Sequence, residues 1–274
     1  MTAVSKIRQA QVAGQFYPAK ASDIQEQISS FITGQEEKID ALACMLPHAG
    51  YQYSGRVASQ TVARINIKEK VILLGPNHTG SGAVYSLMAE GAWQTPLGRV
   101  NIDTQLAKSI LAGSKYLEQD SLAHAREHSL EVELPILQYF KDDFEIVPIA
   151  FRSDDLTALK KIGEELAGVI QATGLKERVL LVASSDLTHY EPQSAAAAKD
   201  KLAIAAILEL NPDKLMREVK NSDISMCGYA PVIAMLAAVN SLGAKAARLV
   251  KYQTSADSTG EESAVVGYAG IIIN

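Results

Sequence analysis

The stretch Lys70–Gly80, KVILLGPNHTG, is a short apolar run that ends in a turn carrying a histidine. A continuous run of this length, closed by Pro and Gly, is typical of a strand buried on both faces of a sheet. Runs of the same character occur at 41–46, 144–150, 178–184, 247–253 and 263–273. The pattern therefore predicts a sheet made largely of buried strands.

Helical patterns fill the intervals between these runs. They lie at 22–33, 54–65, 104–112, 129–140, 154–172, 194–209, 212–220 and 228–241. We expect Ser54 and Ser129 to cap the N-termini of their helices. The alternation predicts an α/β fold of three layers, α/β/α, around a mainly parallel sheet. The turn-rich segment 83–103 is expected to add antiparallel edge strands, and residues 1–274 to form one domain.

The composition excludes several classes of protein. The chain has 274 residues and a formal net charge of −5, without a run rich in Lys or Arg. Nucleic acid and anionic membranes are therefore not expected as partners. The N-terminus lacks the apolar run of a signal peptide, and no stretch approaches the length of a membrane span. Two distant cysteines do not suggest a disulfide framework, so we expect a cytoplasmic protein.

Polar side chains follow three of the predicted strands, at the point where each strand ends. His48 follows the run at 41–46, His78 follows KVILLG, and Asp186 and His189 follow the run at 178–184. Ligands of parallel α/β sheets bind beyond the carboxyl ends of the strands. Because a full crossover helix fits between His48 and His78, we expect these two to lie on neighbouring strands and to face one cleft.

Cys227 lies just ahead of an apolar helix, where the helix dipole is expected to favour its thiolate. Cys44 lies within an apolar strand and is expected to be a small buried side chain. Two imidazoles and one anionic ligand make a common catalytic metal shell. The spacing does not choose between Cys227 and Asp186 as the third ligand. Asp186 and a nearby histidine are also suited to proton transfer outside the metal shell.

His124–His128, HAREH, matches the H-x-x-E-H pattern of inverted zinc metalloproteases. That reading needs both histidines on one helix. The helix predicted at 129–140 begins after them and leaves both in a loop, so the match is expected to be accidental. A zinc metalloprotease is therefore the least favoured function.

Five motifs occur in order along the chain: PHAGYQYSG, GPNH, EHSLEVELP, SSDLTHY and MCGYAP. Together they resemble the MEMO family, whose prokaryotic members are known as protein B of the AmmeMemoRadiSam system. The resemblance runs from RQAQVAGQFYP to VVGYAGIII. It implies a fold like that of the class III extradiol dioxygenases, which open catechol rings with non-haem iron(II).

The resemblance also implies roles for particular residues. His48 and His78 match the two histidine ligands of the dioxygenases, and Cys227 stands where those enzymes have a glutamate ligand. His189 matches their acid/base histidine, with Asp186 beside it. A thiolate changes the charge and redox behaviour of a metal site, so ring cleavage does not transfer with the fold.

Two further residues are candidates for the pocket. The resemblance implies that His128 lies near it, and Tyr51 of the GYQYSG loop is a candidate for shaping its entrance. We expect a metal-binding protein with a redox role, using iron(II) or copper, with zinc as another candidate, on an unidentified small molecule or protein. The alternative is a non-enzymatic metal handler or binding module. For either function the resemblance implies a link to AMMECR-family and radical-SAM partners.

Overall fold

The computed structural model describes residues 7–32, 34 and 37–274. Its strands are β1 Ile7–Arg8, β2 Ala43–Leu46, β3 Lys70–Pro76, β4 Tyr85–Leu87, β5 Ala92–Thr95, β6 Gly98–Asn101, β7 Glu118–Gln119, β8 Glu145–Phe151, β9 Val179–Ser184, β10 His189–Glu191, β11 Ala247–Thr254 and β12 Val265–Ile273. Its α-helices are α1 Ala21–Phe31, α2 Arg56–Val62, α3 Thr104–Gly113, α4 Ser129–Phe140, α5 Leu156–Ala172, α6 Gln193–Leu208, α7 Pro212–Asn221, α8 Tyr229–Leu242 and α9 Ala256–Thr259.

Within the described residues the central sheet has nine strands, and its middle is parallel. β2, β9, β3 and β8 are adjacent in that order, and each pair is parallel. Every residue of β2 and β9 is buried, as is all of β3 after Lys70. The continuous apolar runs follow from this position, because helices cover both faces. The predicted α/β architecture, with helices packed on a mainly parallel sheet, is confirmed.

Antiparallel strands lie at both edges of this sheet. β12 pairs antiparallel with β2, and β10 and β11 both pair antiparallel with β12. At the other edge β4 pairs antiparallel with β8. Of the strands in segment 83–103, β4 belongs to the central sheet, whereas β5 and β6 form a hairpin that pairs with β1 in a separate three-stranded sheet. The prediction for that segment was therefore correct only in part.

Helices cover the two faces of the sheet as two layers. α8 packs on β2, β3, β8 and β9 and is itself covered by α5, while α2 and α4 pack on the sheet from the other layer. Gly163 of α5 allows a close helix–helix contact, since a Cβ there would lie 2.2 Å from the carbonyl oxygen of Ala234 in α8. Among the described residues, every helix is too short or too polar to traverse a bilayer.

The structure corrects the predicted starts of three helices. Ser54 is not an N-cap, because it lies inside a π-helical turn, Tyr51–Gly55, that runs directly into α2. Its hydroxyl donates to the carbonyl of Ala49 instead. Ser129 is the first residue of α4, and His128 holds the cap position. The first helix runs over Ala21–Phe31, and residue 33, the predicted end, lies outside the described residues.

Candidate metal centre and cleft

Three strand ends meet at the candidate site, and they are consecutive in the sheet. β2 precedes His48, β3 precedes His78 and β9 precedes Asp186. The sheet order places β9 between β2 and β3, so His48 and His78 do not lie on neighbouring strands as predicted. Their rings still approach to a centroid distance of 5.3 Å, because both loops turn over the end of β9.

His48 is buried and held at three of its polar atoms. Its Nδ1 lies 2.8 Å from Ser184 Oγ, and its backbone N–H donates to Asp186 Oδ1 at 2.8 Å. Its Nε2 lies 3.3 Å from Cys227 Sγ. Burial lowers the pKa of His48 well below its ordinary value, an effect to which His78 and His128 add. The ring is therefore neutral near pH 7, which is the form that binds metals.

His78 is oriented by a carboxylate that the sequence did not single out. Glu127 is fully buried, and its Oε1 lies 2.9 Å from His78 Nδ1 while its Oε2 accepts the backbone N–H of His78 at 2.6 Å. Glu127 also accepts the N–H of Ser129 at the start of α4. The pKa of Glu127 is lowered to about 2: burial raises it, but the bonds and charge of His78 and the bond from Ser129 outweigh burial. The sequence feature that could have indicated this role is an acidic residue two positions before the first residue of a predicted helix.

Cys227 completes a set of three donors. Atoms of His48, His78 and Cys227 that can bind a metal all lie within 4.8 Å of one another. A second such set, His78, Glu127 and His128, shares one histidine with the first. Glu127 is already occupied by the hydrogen bonds of His78 and Ser129, so the first set has the freer donors. Two imidazole nitrogens and one sulfur suit iron, copper or zinc.

The electrostatics of Cys227 differ from the prediction. Burial, followed by the charge of Asp186, raises the pKa of the Cys227 thiol well above its usual range. The helix dipole does not prevail, because α8 begins two residues later at Tyr229, and the hydrogen bonds to the sulfur, among them the N–H of Asp186 at 3.3 Å, do not offset burial. A bound cation would reverse this balance by stabilising the thiolate. Cys44 is fully buried within β2, as predicted.

Asp186 and His189 lie beside the donors and line the same cleft. Burial raises the pKa of Asp186 to about 6, against the opposing effects of His189 and of the N–H donated by His48. His189 Nδ1 lies 2.9 Å from the carbonyl oxygen of Ser225, which accepts only if Nδ1 carries the proton. This bond leaves the other ring nitrogen of His189 without a proton in the neutral ring.

The cleft above these residues has a volume of about 620 Å³. Its walls include the aromatic side chains of Phe16, Tyr53, Tyr190 and Tyr268. Tyr51, predicted to shape the entrance, does not line the cleft. Its ring is 1% exposed and its hydroxyl donates to the carbonyl of Val132, because the π-helical turn directs Tyr51 toward α4.

The two histidines of the HAREH motif separate in the structure. His128 lines the cleft and stacks on His78 at a centroid distance of 4.8 Å. His124 is fully buried against Trp93, and neither donor set includes it. The protease ligand set therefore does not form, because the two residues occupy a loop rather than one face of a helix.

A second buried carboxyl group, also missed at the sequence level, lies behind His48. Glu133 Oε1 accepts a 2.6 Å hydrogen bond from Ser184 Oγ, the same hydroxyl that contacts His48 Nδ1. Oε2 of Glu133 is buried without a partner. Burial raises the pKa of Glu133 well above its ordinary value. In the sequence, Glu133 is one polar residue within a predicted apolar helix, and nothing there indicated a role at the site.

Comparison with known proteins relates the chain to one family. A family model described as Memo-like protein matches residues 8–272. The MEMO1 family protein of Methanocaldococcus jannaschii is 42% identical, with 98% of this chain and 100% of the relative covered. The one from Methanopyrus kandleri is 40% identical, with 95% and 96% covered.

A solved structure supports the fold. It is that of an uncharacterized protein from Escherichia coli K12, with a TM-score of 0.58 and 15% sequence identity, and it covers 84% of this chain and 98% of that one. At that identity the likeness bears on the fold alone. The family match and the relatives extend over nearly the whole chain, and on their evidence the chain belongs to the MEMO family.

Proposed function

We propose that this protein binds a transition metal, iron(II) or copper, through His48, His78 and Cys227, and uses it in redox chemistry on a small substrate in the cleft. The observation that carries the proposal is the convergence of these three donors within 4.8 Å, from loops far apart in the chain. Zinc suits the same donors, so the test must distinguish zinc from iron and copper.

Cys227 is favoured over Asp186 as the third ligand. An oxygen of Asp186 accepts the backbone N–H of His48, so this carboxylate is engaged in holding the loop. Cys227 Sγ, by contrast, faces His48 Nε2. A thiolate in place of a carboxylate removes the reason to propose catechol ring cleavage, and we do not propose it.

The surrounding residues have distinct roles in this proposal. The bound metal would supply a redox couple and a positive charge at the base of the cleft. Glu127 holds His78 with Nδ1 protonated and directs the other nitrogen toward the donor set. His189, fixed by its bond to the carbonyl of Ser225, accepts or donates a proton at Nε2. Asp186 places its negative charge beside that proton transfer.

The test is the metal content of anaerobically purified protein, measured by elemental analysis. We expect stoichiometric iron or copper in the wild type and its loss in Cys227→Ala. Cys44→Ala is the matched control, because its thiol is buried within β2 away from the cleft. Asp186→Asn is expected to retain metal. Loss in Asp186→Asn with retention in Cys227→Ala would exchange the roles of these two residues, and a metal-free wild type would overturn the proposal.

The same donors would also serve a metal handler that catalyses nothing. Steady turnover of a substrate above the rate of free metal, abolished by His189→Ala, separates an enzyme from such a protein. The link to AMMECR-family and radical-SAM partners and the cytoplasmic location remain predictions from the sequence. Co-purification with those partners from the native cell is the direct test of the first.

A further inference from the structure

The permanently charged side chains on the wall of the cleft are carboxylates, and the other ionisable groups at its base are imidazoles. Asp186 lies at the base and Glu261 at the rim, and no Lys or Arg is among the described residues that line the space. An anionic ligand such as a phosphate ester would meet the carboxylate of Glu261 at the rim, with no Lys or Arg among the described lining residues to bind it. A positively charged ligand would meet favourable charge at the rim, where Glu261 lies apart from the positive charge that a bound metal would place at the base.

Much of the uncharged wall is aromatic. Phe16, Tyr53, Tyr190 and Tyr268 all line the cleft. The ring of Phe16 packs against His128 at a centroid distance of 4.7 Å, so this wall extends to the imidazoles at the base. Aromatic faces attract organic cations through their quadrupoles, and clusters of such faces recognise ammonium groups.

Tyr190 is the most exposed of these rings, and its backbone is strained. Its φ is +59°, in the left-handed region that non-glycine residues rarely occupy, and its side chain is 78% exposed. The pairing of β10 with β12 shifts register between His189 and Glu191, so Tyr190 is the bulged residue. Bulges commonly redirect a side chain next to a functional site.

Two anchors hold the bulge in place. The backbone N–H of His189 donates to Ser225 Oγ at 2.7 Å, and Glu191 pairs with Lys199 at 2.7 Å. The flanking residues are thus fixed, while the exposed Tyr190 ring lies at the mouth of the cleft, edge-to-face with the His189 ring at a centroid distance of 5.7 Å. An exposed aromatic ring held in a strained conformation contributes little to folding, and its position suits contact with a ligand.

We propose that the cleft binds an organic cation, a protonated or quaternary amine on an aromatic or aliphatic frame, with Tyr190 and Glu261 at its mouth. The proposal rests on the proposed function, because it concerns the same cleft. It names the class of substrate and separates it from anionic ligands such as phosphorylated peptides.

The test uses three probes of nearly equal shape that differ in charge: phenethylamine, 2-phenylethanol and phenylacetate. Their binding is measured by calorimetry at pH 7 to metal-loaded and to metal-free protein. We expect phenethylamine to bind at least about tenfold more tightly than phenylacetate, with 2-phenylethanol between them. Glu261→Gln and Tyr190→Ala are each expected to weaken the amine about 2–5-fold and to leave 2-phenylethanol and phenylacetate binding less affected. Glu90→Gln, a change to an exposed glutamate outside the cleft, is the control.

Equal binding of the amine and the alcohol, tighter binding of phenylacetate, or no measurable amine binding would each overturn the proposal. So would an amine affinity unchanged in both cleft variants. Metal content is measured on the same samples, which keeps the two proposals separate. Phenylacetate preferred by metal-loaded protein would leave the metal site intact and refute the cation preference. A protein that contains no metal but still prefers the amine would refute the proposed metal site and leave the cation preference intact.

Discussion

Cys227 Sγ lies 3.3 Å from His48 Nε2, although 179 residues separate them in the chain. The contact depends on how closely the loop before α8 approaches the end of β9. At Gly228 a Cβ would lie 2.3 Å from the carbonyl oxygen of Ser184 and 2.5 Å from Cβ of Ser185. Only glycine permits this approach, so the residue after Cys227 sets the position of the thiol.

Gly228→Ala is therefore expected to displace Cys227 and to weaken metal binding at least about tenfold, together with a loss of stability typical of overpacking, about 1–3 kcal/mol. Gly168→Ala is the matched control, because a Cβ at that helical position meets nothing within 4 Å. It is expected to raise stability by about 0.5–1 kcal/mol through helix propensity. Metal titration and denaturant unfolding measure both effects. Unchanged metal affinity in Gly228→Ala would contradict the argument.

Glu127→Gln tests the orientation of His78. The amide is able to present either its oxygen or its NH₂ group to Nδ1, so it no longer fixes the tautomer, and we expect metal affinity to fall about 10–100-fold. The wild-type pKa of about 2 lies below the ordinary value of 4.5. The carboxylate thus contributes stability that is present above pH ~4.5 and lost as the pH falls toward 2. Acid unfolding of metal-free protein should show a smaller loss over that window in Glu127→Gln, and an identical acid profile would count against this role.

His189→Ala is expected to keep the metal and to lower any metal-dependent turnover by about 10²–10⁴-fold, the usual contribution of a positioned acid or base. The donor set does not include His189, so its removal leaves the three proposed ligands in place. Metal content and single-turnover rate are measured on the same preparation. Unaltered turnover would exclude a role in proton transfer, and concurrent loss of metal would indicate a structural role instead.

The residues at the strand ends were predictable because topology alone brings them together. His48, His78 and Asp186 each follow a run of buried residues, and the carboxyl ends of parallel strands share one edge of the sheet. Which strands are adjacent was not predictable, since β9 lies between β2 and β3 in the sheet although it follows β3 by about a hundred residues in the chain. Strand order depends on long-range packing that no local pattern records.

The supporting carboxylates were hidden for a different reason. Glu127 precedes α4 and Glu133 lies within it. A glutamate in or beside a helix ordinarily indicates a solvent-exposed face. Both are fully buried, because α4 packs against the sheet and their partners come from β9 and from the loop after β3. The prediction for Tyr51 was wrong in another way, because it placed a buried side chain at the surface of the cleft. A turn-rich motif suggested an exposed loop, whereas a π-helical turn carries its ring into the core.

Glu133→Gln gives a prediction about pH that does not involve the metal. In the folded chain the pKa of Glu133 is raised above its ordinary value of 4.5 by burial, and only Oε1 has a hydrogen bond to offset the loss of water. The folded protein therefore keeps a proton that the unfolded chain releases above pH ~4.5. The free energy of unfolding of the wild type should fall as the pH rises above about 4.5, by at most about 1.4 kcal/mol per pH unit from this group.

Gln cannot titrate, so the stability of Glu133→Gln relative to wild type should increase steadily from pH 5 to pH 7. Asp200 also has a raised pKa, and its effect cancels in the difference because Glu133 does not contribute to it; Asp186, whose charge adds to the raised pKa of Glu133, contributes to the difference. Urea unfolding of the metal-free proteins at several pH values measures that difference. Parallel curves for the two proteins would mean that Glu133 is ionised in the fold and shares its charge with Ser184 and His48.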